Sequence, residues 1–275
     1  MLRYNTLIVL LGVGLLGAAA GPIGALAVLR RRALVGDALA HATLPGLCLA
    51  FLIIGERSMP ALLLGALASG LLGVTVLALL SRYTRIKEDA AIAIVLSVFF
   101  GAGLVLSRWI QNHTTTGSKA GLDSYILGKT AGLLLDDVLL LAGLAVLVLV
   151  VLLALYKEFQ LLIFDRDFAR VQGWPVARLD LLLLGLIAVL VVIGLPAVGV
   201  ILVASLLILP AVAARMWTDR LHRLLVLSGL IGALTGVVGA ALSASLPRAP
   251  AGAVIVLVAM AFFVVSAVAR RLLWG

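Results

Sequence analysis

The sequence predicts an all-α fold, a polytopic membrane helical bundle of about nine transmembrane helices, with eight as the alternative count. Three observations carry this. Of 275 residues, 64% are hydrophobic and only 12% charged, with a mean hydropathy of +1.28, whereas soluble domains hold roughly a quarter charged residues. The apolar residues gather into runs near the length that crosses a hydrocarbon core: 5–29, 38–55, 60–80, 90–107, 133–156, 180–194, 196–214, 223–246 and 250–269. The basic residues lie between these runs and alternate. Arg30–Arg32, Arg82, Arg85, Lys87, Lys157, Arg166, Arg170, Arg178, Arg215, Arg220, Arg223, Arg270 and Arg271 put 15 on one side. Arg3, Arg57, Arg108, Lys119, Lys129 and Arg248 put 6 on the other. Basic loops stay in the cytoplasm, which sets the N-terminus outside and the C-terminus inside. An error of one span breaks the alternation. The chain reads as one transmembrane domain, 1–275, with membrane lipid as its surroundings.

Run 5–29 is followed by three arginines and lacks a basic n-region cluster, so it reads as a retained span and not a cleaved leader. Its Gly17-Ala-Ala-Ala-Gly21, like Gly232-Ala-Leu-Thr-Gly236 in run 223–246, has the small-xxx-small spacing that lets helix backbones approach closely. Run 38–55 holds Pro45 and is expected to kink or break. Stretch 108–132 could hold a short helix of its own. Run 180–194 is short and ends at Gly194-Leu195-Pro196, so it is expected to be tilted or to pair tightly with the next run. In run 196–214, Pro210 predicts a kink and Ser205 could bond a carbonyl beside it. The net charge of +9 serves orientation at helix ends and gives no reason to expect nucleic acid. A single cysteine, Cys48, excludes a disulfide framework and any CxxC site; inside an apolar run it reads as a small core residue.

The stretch Gly36-Asp-Ala-Leu-Ala-His-Ala-Thr-Leu-Pro-Gly46 sets Asp37 and His41 four residues apart, on one face of a helix. A carboxylate within a membrane helix costs roughly 2.5–3.5 kcal/mol on insertion scales and so faces a cavity or a partner. Oxygen plus imidazole nitrogen makes a half-site for a divalent transition metal; the alternative is a buried hydrogen bond that packs the helix. Asp123-Ser-Tyr-Ile-Leu-Gly-Lys-Thr130 falls one glycine short of a phosphate-binding loop. It has no preceding strand and lies on the outer side, so it is rejected as a nucleotide site. Asn112-His113-Thr114 is a glycosylation-type tripeptide in that loop; His113 and Asp123 could hold a metal weakly, but a solvated loop accounts for them.

Connection 157–178 is different. Phe164, Phe168 and Val171 fall at i, i+4 and i+7, one face of a short helix that Asp165 can cap and Gly173 can end. Held between two spans on the cytoplasmic side, it reads as a docking knob for a soluble partner, against the alternative of a helix lying flat on the membrane.

Taken together, Arg32-Ala-Leu-Val-Gly-Asp-Ala-Leu-Ala-His-Ala-Thr-Leu-Pro-Gly46, Gly121-Leu-Asp-Ser-Tyr-Ile-Leu-Gly128, Phe164-Asp165 through Gly173 and Leu206-Leu-Ile-Leu-Pro-Ala211 resemble the permease subunits of bacterial ABC importers for manganese, zinc and iron. The resemblance spans essentially the whole chain. It implies that Asp37 and His41 are the metal ligands, and that the ATPase-coupling helix lies within 157–178, at Phe164, Asp165, Phe168, Ala169 and Gly173. It implies a second permease subunit (a homodimer or a paralogue), two cytoplasmic ABC ATPase subunits, and an extracytoplasmic metal-binding protein, in the bacterial inner membrane. The chain itself is then no enzyme and binds no permanent cofactor; the metal, Mn, Zn or Fe, is cargo. Cys48 stands where relatives usually carry a small apolar residue and is not read as a ligand. Two ligands fall short of the four to six that transition metals take, so a two-fold axis would complete the site.

Three other readings fit less well. A permease for cobalamin or ferric siderophore shares the general helical plan but would have little use for a paired Asp and His. An ion-coupled secondary carrier needs no cytoplasmic partner and often shows two matching halves; none is visible. An intramembrane enzyme wants a base beside Ser205, whose run contains no His. The charge alternation yields a direct test. In intact cells, an impermeant thiol reagent is expected to label a cysteine placed at Thr115 and to spare one placed at Gln172. The reverse pattern would sink the orientation.

Overall fold

The computed structural model describes residues 2–55, 59–113, 133–246 and 250–274, and these are almost entirely helical. The expected blocks at 121–128 and 123–130, Thr114, and the basic residues Arg57, Lys119, Lys129 and Arg248 lie outside the described residues. Twelve helices are present among the described residues: α1 (Leu2–Leu29), α2 (Val35–Ala42), α3 (Leu44–Ile54), α4 (Met59–Tyr83), α5 (Glu88–His113), α6 (Leu135–Ala154), α7 (Tyr156–Phe164), α8 (Arg166–Val171), α9 (Val176–Val198), α10 (Val200–Arg215), α11 (Leu221–Ser245) and α12 (Ala251–Trp274). Eight helical stretches are long and apolar enough to cross a membrane, α2 and α3 together making one of them; α10, at 16 residues, is the shorter ninth. Each of the nine apolar runs therefore corresponds to a helix or a helix pair.

Two helix groups meet at α2. On one side α1 packs against α11, α10 and α6, and α12 closes on α10 and α11. On the other, α3, α4 and α5 pack together, with α9 against α4. α2 sits between them, touching α4, α5, α9 and α10. Val35, Ala38, Leu39, Ala40 and Ala42 are buried there, while Asp37 and His41 take the remaining side. The outer helices α5 and α12 leave Val98, Val105 and Val265 mostly exposed, the apolar surface a lipid-facing helix needs.

The most extensive helix contact is α1 with α11, and its cause is the pair of small-residue motifs. A Cβ on Gly17 would strike the backbone of Gly232, and one on Gly232 would strike that of Gly17; Gly21 faces Ser228 and Gly236 faces Val13 in the same way. The two motifs pack on each other, which lets the backbones touch where lipid supplies no hydrophobic drive for helix pairing.

Run 38–55 is broken, as Pro45 predicts. Proline has no N–H to give the His41 carbonyl, so α2 stops at Ala42 and α3 restarts at Leu44. The Thr43 hydroxyl donates to the Ala40 carbonyl (2.6 Å) and the Ser69 hydroxyl to that of Ala42 (2.6 Å). Hydroxyls thus cover carbonyls at the joint, where no water is at hand.

The boundary between runs 180–194 and 196–214 falls a few residues later than the sequence division puts it. α9 begins four residues before 180 and runs through Pro196 to Val198; the chain turns at Gly199, with φ 83° and ψ 165°. That conformation is essentially restricted to glycine, so a glycine and not the proline makes the corner. Pro210 lies inside α10, and the Ser205 hydroxyl bonds the Ile201 carbonyl at 2.7 Å, five residues before the Leu206 carbonyl that Pro210 leaves open. Cys48 is buried, its thiol 3.8 Å from the Gly103 carbonyl, a core position as expected.

The glycine contact makes a prediction. Gly17→Leu or Gly232→Leu overpacks a backbone-to-backbone contact, a change that costs about 1–3 kcal/mol or more. Either is expected to lower the melting temperature and the yield of purified, detergent-solubilised protein, whereas Gly143→Leu, where a Cβ would meet open space, is expected to leave both unchanged.

Candidate functional site

Asp37 and His41 do share one face of α2. The Asp37 carboxylate lies 3.7 Å from His41 Nε2, with side chains 36% and 21% exposed. That distance is beyond a hydrogen bond, so the two groups are aligned without satisfying one another. His41 Nδ1 is buried without a hydrogen-bond partner. The ring meets Phe100 of α5 edge-on, centroids 4.7 Å apart, which fixes its tilt. The two groups offer one hard oxygen and one imidazole nitrogen. No third His, Cys, Asp or Glu joins them among the described residues. One chain thus offers two donors here, fewer than the four to six that transition metals take. His113 is engaged locally, with Nδ1 3.0 Å from the Trp109 carbonyl and the ring stacked on Trp109.

Segment 157–178 forms two short helices instead of one. α7 ends at Phe164, and Asp165, with φ −146° and ψ 83°, breaks the run and caps α8, its Oδ1 accepting from the Phe168 N–H at 2.9 Å. Phe164 therefore belongs to a different helix from Phe168 and Val171, because capping by Asp165 needs an extended backbone at that residue. All three remain exposed, as does Trp174. Gly173 ends α8 at φ 82°. Its N–H donates to the Arg170 carbonyl and that of Trp174 to Ala169, both at 3.0 Å, the paired bonds of a glycine-stopped helix. Ala169 is buried and seats α8, while the aromatics point away. Trp174 is the aromatic that sequence reasoning missed, although its place directly after the stop glycine was a usable signal.

Sequence reasoning also missed a cluster of five charged side chains at the end where the basic loops converge. Asp180 of α9, 12% exposed, receives Arg30 (2.7 Å) and Arg32 (3.1 Å) on Oδ1, and Arg166 of α8 stands 3.6 Å from Oδ2. Arg32 also forks Glu88, the first residue of α5, through Nε (3.0 Å) and Nη2 (2.5 Å). Arg30 donates as well to the Leu162 carbonyl of α7 at 3.0 Å. Burial pushes the Arg30 pKa below its ordinary value, with Asp180 opposing. At Arg32 burial acts in the same sense, but Glu88 and Asp180 outweigh it and the pKa rises. Between them Arg31 adopts φ 58°, a left-handed conformation costing about 1–2 kcal/mol for a residue with a Cβ. It ends α1 so that its two neighbours both turn inward, with the Arg32 N–H bonding the Ala27 carbonyl at 2.9 Å. A carboxylate at the start of an apolar run was the available signal for Asp180.

The profile of the ABC 3 transport family matches residues 3–270. The manganese transport system membrane protein MntC of Bacillus subtilis is 46% identical over 262 residues, which cover 95% of this chain and 60% of that protein, so the chain spans under two thirds of that relative's length. The zinc transport system membrane protein TroC of Treponema pallidum is 46% identical over 263 residues, covering 96% of this chain and 88% of that one. Among solved structures, PsaBC from Streptococcus pneumoniae in complex with Fab superposes with a TM-score of 0.80 at 30% identity, covering 94% of this chain and 89% of the other.

Within the charged cluster, Asp180 is the group the others require. Removing it leaves buried guanidinium groups without their counter-ion, a loss of about 3–5 kcal/mol for a buried pair. Asp180→Ala is expected to lower the thermal stability of the solubilised protein sharply, and Asp180→Glu much less. Equal melting temperatures for Asp180→Ala and the unmodified protein would contradict the assignment.

Proposed function

Because this chain belongs to the ABC 3 transport family, we propose that it is the membrane permease subunit of an importer that moves a divalent transition metal, Mn, Zn or Fe, into the cytoplasm. The observation that carries the reading is the Asp37–His41 pair: two ligating groups on one face of a short helix, aligned, partly exposed and unsatisfied by each other, within a chain that is otherwise hydrocarbon. A second permease, a copy or a paralogue, supplies the facing pair. The ion arrives from an extracytoplasmic metal-binding protein, and the four groups replace part of its lost hydration in transit. His41 binds through a ring nitrogen while Phe100 holds the ring's tilt.

Two ATPase subunits dock at 157–178, where Phe164, Phe168, Val171 and Trp174 offer an exposed apolar face that Asp165 and Gly173 hold in shape. ATP hydrolysis in those partners supplies the work. The N-terminus lies outside and the C-terminus in the cytoplasm of the bacterial inner membrane. The charge split supports this, as does the gathering of Arg30, Arg32, Arg82, Arg166, Arg170 and Arg178 at one end of the bundle. A path for a large organometallic chelate gains nothing from a two-ligand pair, and the relatives named for manganese and zinc transport support a transition metal as cargo.

Uptake by the reconstituted complex tests the site. Losing an outer-sphere partner of a metal ligand already costs about 10–100-fold in affinity or activity. Asp37→Asn, which keeps shape and hydrogen bonding but removes the charge, is therefore expected to lower uptake of the transported ion at least about tenfold, with expression and ATPase association unchanged. Near-normal uptake of Mn, Zn and Fe by this variant would end the metal-site assignment.

A further inference from the structure

A movement made at the exposed face of 157–178 has to reach α2, and α8 has no extensive contact with α2. Its principal helix neighbours are α7 and α9. Toward α4 it faces a cleft of about 820 Å³, lined by Arg82, Arg166, Arg170 and Arg178 among others. Ala169 seats α8 by apolar contact, and the ion pair that joins α8 to the charged cluster is made by Arg166, the first residue of α8, whose guanidinium stands 3.6 Å from Asp180 Oδ2. The other oxygen of that carboxylate holds Arg30 and Arg32. Arg32 lies three residues before α2, which carries Asp37 and His41. It also forks Glu88 at the start of α5, the helix whose Phe100 abuts His41. One carboxylate therefore connects α8 to both elements that hold His41.

We propose that Arg166 is a positioning residue for transport: it is the arm by which displacement of α8 acts on Asp180, and through Arg32 on α2 and α5, so that ATPase movement changes the setting of Asp37 and His41. The inference rests on the importer reading. Charge balance favours this role over a merely structural one. Arg30 and Arg32 alone match Asp180 and Glu88, two cations to two carboxylates, so Arg166 is the surplus cation. Arg30 and Arg32 are almost wholly enclosed, 8% exposed each, whereas the Arg166 side chain is 41% exposed, sits on its own oxygen and makes the longest contact of the three. It can leave Asp180 while the inner pairs persist. A contact that can be made and broken while its surroundings stay intact is what a two-state element requires.

The test uses the full complex, both permeases with the ATPase and the binding protein, in proteoliposomes. Three quantities are read: ATPase association, ATP hydrolysis, and metal imported per ATP hydrolysed. For Arg166→Gln, association and hydrolysis are expected to persist while metal per ATP falls at least about fivefold, the low end of site-to-site coupling. Arg166→Lys, which restores the charge, is expected to recover part of the loss. Phe168→Ala serves as the docking control and is expected to lower association itself. An unchanged ratio in Arg166→Gln overturns the proposal. So does a loss of association matching Phe168→Ala, which would make Arg166 a docking residue, and so does failure of the variant to fold, which would make it a structural staple. Arg166→Lys as impaired as Arg166→Gln overturns the charge-based role. Failure of the unmodified complex to import any of Mn, Zn and Fe would count against the importer reading instead, so the two failures are distinguishable.

Discussion

A single carboxylate fixes the basic end of this molecule. Asp180 stands at the second turn of a helix that is otherwise hydrocarbon, where an unpaired charge would be expensive. It is tolerable only because cations come to it from two distant parts of the chain: Arg30 and Arg32 from the turn after α1, and Arg166 from the head of α8. Those arginines are themselves buried or half-buried and need Asp180 in return. The left-handed Arg31 between the first two indicates that the turn is shaped around this requirement, since the backbone adopts a disfavoured conformation to let both neighbours face inward. With Glu88 drawn in by Arg32, the starts of α2, α5 and α9 are held together by one connected set of ion pairs, and α8 joins it through the longer Arg166 contact.

The second constraint is the absence of water along the spans. Where the helical ladder is interrupted, some other donor or a special backbone conformation has to make the interruption affordable. At Pro45 the chain uses hydroxyls, Thr43 onto Ala40 and Ser69 onto Ala42. The result is that α2 is only eight residues long, enough to hold Asp37 and His41 on one face and little more. At Gly199 it uses the one residue type that can take the corner. The α2 break matters for the proposed function because a short helix, jointed at one end and tied through Arg32 at the other, can be re-aimed as a unit. A straight twenty-residue helix packed along its whole length could not.

These constraints also explain what could be read from the sequence. Run lengths and charge alternation located all nine apolar segments, because hydrocarbon thickness is a strong filter on local sequence. The glycine motifs announced close contact, and the fold brings them face to face, Gly17 on Gly232. Asp165 and Gly173 were legible as a cap and a stop because each acts on its own neighbouring backbone. The failures are of another kind. Asp165 was read as the start of one helix when it also ends another, which separates Phe164 from Phe168. The division between runs 180–194 and 196–214 was set at Gly194-Leu195-Pro196, although a proline inside a membrane helix can be carried through and only Gly199 supplies the positive φ. The ion-pair cluster was missed because Arg30 and Arg32 had been absorbed as topological charges, and because their partner is 150 residues away in Arg30's case. Long-range pairing has no local signature.

The proposed metal site carries the same lesson at closer range. Spacing alone put Asp37 and His41 on one face, and the structure agrees, but spacing could not say whether they bond each other. At 3.7 Å they do not, and His41 Nδ1 is buried without a partner. A buried donor or acceptor left unmade costs about 1–3 kcal/mol, and it is Nδ1, the ring nitrogen other than the one nearer Asp37, that is left so. An aligned but unclosed pair suits the proposed role of binding a third body. The donors available to it are one carboxylate oxygen and one imidazole nitrogen, with the soft sulfur of Cys48 turned toward the Gly103 carbonyl and outside the set. Oxygen and nitrogen donors of this kind accept Mn, Fe and Zn without strong preference. On the proposed reading, discrimination among them has to come from the geometry that two facing half-sites impose, and from what is delivered to them.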